Sequence, residues 1–267
     1  MVDVLTSGLL GLHVSLGLDA VTFYVMLEAT VVPLWMTIAG RSAGSAYRLW
    51  LYTIVCGLPA VTGILLFLPV GMPHTSSLSS TLALLLLPSF AVKTPLMALH
   101  LWLPAAHAAA PTAGSLLLSG ALLKLGPLGI LRFCTLTPHA AAAWTLLSLL
   151  GAIVASLATL RQVDIKKVVA YSSVAHMSAI GVLVFSLAHH AHGAALLAMM
   201  GHGLVSPALF MLVAALHDRA HTKLVPPLAG QARTKPLLAM LLMTASMSGM
   251  ASSVAIPYHS IRKVAKK

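Results

Sequence analysis

The chain has 267 residues, of which 59% are hydrophobic and only 8% charged, with a formal net charge of +11. Soluble domains carry roughly 25% charged residues, and five acidic residues cannot solvate a globule of this length, so lipid is the solvent for most of it. The basic residues are dispersed between long apolar runs and form no stripe, which excludes a nucleic-acid surface and fits positively charged loops facing an inner compartment.

A spanning helix takes about 20 apolar residues. After a short apolar lead at 3–17, runs at 19–39, 48–70, 80–103, 112–134, 143–160, 167–188, 194–216 and 236–257 qualify. They predict an all-α polytopic membrane protein of about eight to nine transmembrane helices. The loop GMPHTSSLSS follows the second run, and PAAHAAAP at 104–111 reads as a tight hairpin loop after the third. A transmembrane domain over 1–257 is followed by a basic tail at 258–267. The start carries neither a basic n-region nor an Arg/Ser-rich transit pattern. Cys56 and Cys134 sit in apolar runs and read as buried free thiols.

Lysine and arginine placement sets the topology. One side receives Arg41, Arg48, Arg161, Lys166, Lys167, Arg219, Lys223, Arg233 and Lys235, so it is the matrix or cytoplasmic side; the other receives Arg132 and the tail. Lys166 and Lys167 read as solvated topology determinants, and Asp164 as the N-cap of the following helix. The third run is predicted to be broken. Pro88 and Pro95 lack N–H donors and free the carbonyls of Leu84 and Ala91. Freed backbone at membrane depth survives only where protein or water satisfies it.

Ionisable residues inside spans are functional candidates by default. At a rise of 1.5 Å per residue, Lys93 lies about 16 Å from Pro104 and Lys124 about 18 Å from Thr112, on consecutive antiparallel helices. Counted likewise, Glu28 lies about 13 Å, His176 about 18 Å and His202 about 14 Å into their spans. Five spans thus bring one titratable group each to a common plane, which is what lateral proton transfer needs. Glu28 is the one carboxylate in a span and can pair with Lys93; making or breaking that pair supplies a switch. His176 and His202 suit relays, and Gly201 and Gly203 let a neighbour or water approach His202. His100 and His107 read as interfacial. His189, His190 and His192 lack partner carboxylates and do not read as a metal site. No nucleotide-binding, iron–sulfur or haem motif occurs, so energy for uphill transport would come from a partner.

HLWLPAAHAAAPTAGSLLLSGALLKLGPLGILRF at 100–133, preceded by FAVKTPLMAL, resembles the broken helix, hairpin and lysine helix of the chain 4 family of proton-pumping NADH–ubiquinone oxidoreductase, respiratory complex I. RQVDIKKVVAYSSVAHMSAIG at 161–181, GHGLVSPALFML at 201–212 and LEATVVPLW at 27–35 resemble further blocks of the same antiporter-like subunits. The resemblance covers about residues 19–257. It implies an antiporter-like fold and assigns channel roles to Glu28, Lys93, Lys124, His176 and His202. It further implies no cofactor on this chain, with FMN, iron–sulfur clusters and ubiquinone on partner subunits. The partners it implies are sister antiporter-like chains and lipids such as cardiolipin, and the location is the mitochondrial inner membrane or, alternatively, a bacterial plasma membrane. Subunits of multisubunit sodium/proton antiporters share the pattern and are the alternative; a purely structural part of the membrane arm is a third. Against the family's fourteen helices in two inverted repeats, the chain matches roughly helices 4–12, so its repeats are incomplete, and YHSIRKVAKK stands where the family has a glutamate after its second broken helix. The expectation is a split subunit, with separately made chains supplying the remaining helices.

Overall fold

The computed structural model describes residues 2–16, 19–67, 80–228 and 230–264. Helix α1 (Val2–Leu16) leads into α2 (Ala20–Ala29) and α3 (Val31–Ala39), two segments of one span. Pro33 explains the seam: its ring crowds the carbonyl four residues back, at Ala29, and the helix is interrupted at Thr30. Helix α4 (Ala43–Phe67) follows, then α5 (Ser80–Lys93) and α6 (Trp102–Ala109). The next span is α7 (Thr112–Leu117), a π-helical turn (Leu118–Leu122) and α8 (Leu123–Phe133). Four more helices complete the bundle, α9 (Pro138–Leu160), α10 (Ile165–Val184), α11 (His189–Ala220) and α13 (Pro236–Val264), with the short α12 (Gln231–Thr234) before the last.

Six of these segments are long and apolar enough to cross a membrane: 20–39, 43–66, 112–133, 138–160, 165–184 and 190–220; shorter apolar helices occupy 81–93 and 236–251. They correspond to the eight runs read from the sequence, and α1 is the apolar lead. Helix α9 shows why lipid must surround the bundle: Leu146, Leu150, Ile153 and Leu157 are each more than half exposed. Inside, Phe23 meets Phe90 and Phe133 edge-on, with ring centroids 5.9 and 5.1 Å apart, which locks α2, α5 and α8 together.

Local chemistry ends the helices where expected. Thr137 caps α9, with Pro138 in its first turn. Asp164 caps α10, accepting from the Lys166 amide at 2.8 Å. An isolated antiparallel bridge between Asp164 and Leu224 joins the α9–α10 turn to the segment after α11. Its backbone bonds run from Ile165 N–H to Lys223 O at 2.9 Å and from Val225 N–H to Val163 O at 2.8 Å, holding the basic loops at one end of the bundle. Cys56 and Cys134 are free thiols, the first buried and the second half-buried.

Two expectations about the chain's layout change. PAAHAAAP is not a loop: α6 runs through it and the hairpin turns at Ala110–Pro111. Alanine is the best helix former, and Pro104 sits in the first turn of α6, where its missing N–H costs nothing. The basic segment at 258–267 continues α13 as far as Val264. Residues 265–267 and most of the GMPHTSSLSS loop lie outside the described residues.

Candidate functional site

The break between α5 and α6 covers residues 94–101. Pro88 is absorbed within α5, whereas Pro95 ends it. Each freed carbonyl near Pro95 finds a donor. The Leu96 amide donates to Ala91 O at 3.3 Å, and the Trp102 indole N–H to Val92 O at 3.1 Å. Ala98 adopts φ 65, a left-handed conformation that costs an L-residue about 1–2 kcal/mol. The break packs on α8 through glycines. A Cβ on Gly126 would lie 2.7 Å from Phe90 O and 2.8 Å from the Thr94 nitrogen.

Lys93, the last residue of α5, points its ammonium at Glu28 on α2, with Nζ 3.4 Å from Oε2. Ser89, one turn earlier, donates its hydroxyl to Glu28 Oε1 at 2.9 Å. The two side chains are 8% and 23% exposed, so the pair is largely withdrawn from solvent. This is the ion pair read from the sequence, with Ser89 as an orienting hydroxyl that the sequence reading did not single out.

Lys124 has a different setting. It follows the π turn, whose wider winding is marked by the Leu123 amide bonding to Leu118 O. Its ammonium donates to the backbone carbonyl of Ser119 and lies 2.9 Å from His202 Nδ1 on α11. No carboxylate lies within 4 Å of it among the described residues. The approach depends on two facing glycines: a Cβ on Gly203 would stand 3.2 Å from Gly120 O and 3.5 Å from Lys124 Cε. The His202 ring lies 5.8 Å from that of His176 on α10. Both histidines line a cavity of about 450 Å³ between α10, α11 and α13, with Ser172, Ser173, Ser206 and Ser246 among its polar walls. Ser173 and Ser206 are hydrogen-bonded to each other across it at 2.9 Å.

The five residues form two contact groups, Glu28 with Lys93 and Lys124 with His202 and His176. A gap of about 20 Å³, lined by Lys93, Thr30, Leu118, Leu122 and Leu123 among others, lies beside the first centre and the π turn that leads to the second. Depth counted at a helical rise does not carry through residues 94–101, which are not helical.

The structure adds residues that were read as interfacial or solvated. His107 is fully buried on α6, stacked on Phe210 with ring centroids 4.3 Å apart. Neither of its ring nitrogens has a protein hydrogen-bond partner. Lys166 is buried as well, and its ammonium donates to Ala110 O at the hairpin turn at 3.4 Å. Lys167 is exposed. Successive helical residues point about 100° apart, which lets Lys166 face the hairpin turn while Lys167 faces outward. His100 is also buried, its ring 6.4 Å from that of Tyr171.

A helical membrane bundle with a broken helix and lysines held inside apolar spans is the class of protein that this fold and site define. The chain belongs to the NADH:quinone oxidoreductase/Mrp antiporter transmembrane family, whose model matches residues 18–260. Among its curated relatives it is 39% identical to NADH-ubiquinone oxidoreductase chain 4 of Prototheca wickerhamii, covering 87% of this chain and 48% of that one. It is 39% identical to chain 4 of Chlamydomonas reinhardtii, covering 88% and 56%. The chain thus spans about half the length of the curated relatives it matches. Its fold is that of a chain of the membrane-bound sulfane sulfur reductase, an archaeal respiratory membrane complex, at TM-score 0.79 and 19% identity over 89% of this chain and 55% of that one. It is also that of a chain of respiratory complex I from Thermus thermophilus, at TM-score 0.71 and 24% identity over 90% and 64%.

Proposed function

We propose that the chain is a proton-conducting membrane-arm subunit of NADH–ubiquinone oxidoreductase in the mitochondrial inner membrane. It works beside sister antiporter-like chains, with flavin, iron–sulfur clusters and ubiquinone on partner subunits. Protons pass along Glu28, Lys93, Lys124, His202 and His176, within an antiporter-like domain over 1–257. The observation that carries this reading is the contact between Lys124 Nζ and His202 Nδ1 at 2.9 Å, inside two apolar spans and next to His176. An ammonium and an imidazole at that distance exchange a proton without moving the backbone. The Glu28–Lys93 pair is the complementary element, since opening it changes the field around the next lysine. His107 and Lys166 extend the series toward the end of the bundle that carries the basic loops, which makes them the intake from that side. The chain 4 names of the relatives favour a redox-driven complex over a sodium/proton antiporter.

The test is Lys124→Ala in the assembled complex, reading NADH oxidation and proton uptake by sealed vesicles together. The expected result is proton uptake per NADH reduced by the share this subunit carries, with the complex still assembled. An unchanged ratio at full assembly would leave the chain a structural part of the arm.

A further inference from the structure

Tyr24 is a buried phenol outside the five residues of the path. It stands one helical turn before Glu28 on α2, so the two side chains leave the same face of the helix. Its hydroxyl donates across to α4, to Gly57 O at 3.2 Å. The glycine makes room for it: a Cβ on Gly57 would stand 3.1 Å from the Tyr24 oxygen. The same hydroxyl is in hydrogen-bonding range of Ser89 on α5, whose own hydroxyl donates to Glu28 Oε1 at 2.9 Å. Two buried hydroxyls thus stand between a carboxyl group and a backbone carbonyl. Lys93 on α5 and the Cys56 thiol on α4 are titratable groups that also face Glu28 from neighbouring helices.

A hydroxyl has one proton to give and two lone pairs with which to accept. The series therefore has two orders. With Glu28 ionised, the carboxylate accepts from Ser89, and Ser89 can accept from Tyr24. With Glu28 protonated, the carboxyl donates to Ser89, Ser89 to Tyr24, and Tyr24 to Gly57 O. A carbonyl can end the second order because it accepts without needing a proton of its own. Only the proton on Glu28 is gained or lost; the hydroxyls turn, and no other O–H bond breaks.

We propose that Tyr24 is a positioning residue for Glu28, forming with Ser89 a hydroxyl relay, ended by Gly57 O, whose hydrogen bonds reverse when the carboxylate takes a proton. The proposal rests on the proton-conducting reading of the Glu28–Lys93 centre. When that pair opens and Glu28 is protonated, the new O–H lies in a site largely withdrawn from solvent, where an unpaired donor is costly. The relay supplies its acceptor. A plain tether between α2 and α4 would use the Tyr24–Gly57 bond alone and would not involve Ser89.

The test uses the assembled complex, grown with isotope-labelled glutamate. Glu28 is the one glutamate of the chain, and subtracting the infrared spectrum of Glu28→Gln isolates its carboxyl band. In Tyr24→Phe the C=O band of protonated Glu28 is expected at higher frequency, as for a carboxyl whose O–H donates more weakly. Proton uptake by sealed vesicles is expected to fall about fivefold, the weight of one net hydrogen bond. Combining Tyr24→Phe with Ser89→Ala is expected to lower uptake no further than Ser89→Ala alone, because both cut one relay. Gly57→Ala keeps the phenol and presses on its hydroxyl, so it is expected to move the same band, and it decides the matter if Tyr24→Phe does not assemble. A band that stays in place in these variants, or losses from Tyr24→Phe and Ser89→Ala that multiply, overturns the proposal. A moved band with unchanged uptake upholds the relay and counts against the conduction reading instead.

Discussion

Lys93, buried, and Lys124, half-buried, are lysines on neighbouring spans, but the bundle holds them by opposite means. Lys93 ends a helix at a break and faces a carboxylate, itself fixed by the Ser89 hydroxyl. Lys124 follows a π turn and is held by a carbonyl and an imidazole, neither carrying a formal negative charge. The first centre stores a charge pair; the second holds a proton between two bases. Under the proposed proton-conducting function the two kinds are complementary. A paired cation resists leaving until its partner moves, and a lysine–imidazole contact passes the proton on with little rearrangement.

The largest contrast is expected from arginine. Its guanidinium stays charged under all ordinary conditions. At 124 it would place a permanent cation where no anion stands, and a buried charge without its partner costs about 3–5 kcal/mol. At 93 the carboxylate of Glu28 remains, so a cost under about 1.5 kcal/mol is expected from the change of shape alone. Thermal unfolding of the purified protein, together with the amount incorporated into membranes, reads this directly. Equal losses at the two positions would end the distinction between the centres.

Glu28→Gln probes the paired centre from its other side. Leaving Lys93 without its anion is expected to cost about 3 kcal/mol. Adding Lys93→Met is expected to recover most of that loss, because replacing both partners of a buried pair is far cheaper than removing one. A double-substitution cycle on unfolding midpoints measures the coupling. If the second change adds to the damage instead of repairing it, the 3.4 Å contact is not the interaction that holds Glu28.

The break seats sterically on helix α8, which also carries Lys124. Ala at 126 would press its Cβ to 2.7 Å from Phe90 O, against backbone that cannot swing away. Gly126→Ala is therefore expected to cost about 2 kcal/mol by overpacking. Gly193→Ala on α11, where nothing lies within 4 Å, is expected to gain up to about 1 kcal/mol of helix stability. Finding both substitutions neutral would show that the break does not seat on α8 as closely as this.

The sequence made the spans and the break legible, because they follow from composition and from proline chemistry acting locally, and it made the Glu28–Lys93 pair legible because Glu28 is the one carboxylate in a span. Lys124 and His202 were visible as buried groups but not as a contact. Their meeting depends on a π turn and on Gly120 facing Gly203 from another helix, and no local pattern encodes either. His107 was misplaced because flanking prolines suggested a loop where alanines form a helix. Lys166 was misplaced because a basic pair was read as one exposed unit although helical geometry turns its members apart. The even row of five groups came from counting residues at helical rise, and that count fails across the unwound segment 94–101.

The smallest contrast separates side chain from backbone as the orienting element. Ser89 is fully buried and bonds Glu28 through its hydroxyl, so Ser89→Ala removes a hydrogen bond to a charged group, worth about 1.5 kcal/mol. Glu28 Oε1 is then free to turn toward Lys93, which would tighten the pair and slow its opening; a fall in proton-uptake rate of about tenfold is the corresponding change. Ser119 is equally buried, but it serves Lys124 through its main-chain carbonyl. Ser119→Ala keeps that carbonyl in place and gives up only a long 3.4 Å hydroxyl bond to Leu116 O, so uptake is expected to stay within about twofold of the parent. Vesicle proton uptake on the two alanine variants makes the comparison. If Ser119→Ala proves the more damaging, the second centre depends on a hydroxyl after all, and the backbone of the π turn is not what holds its lysine.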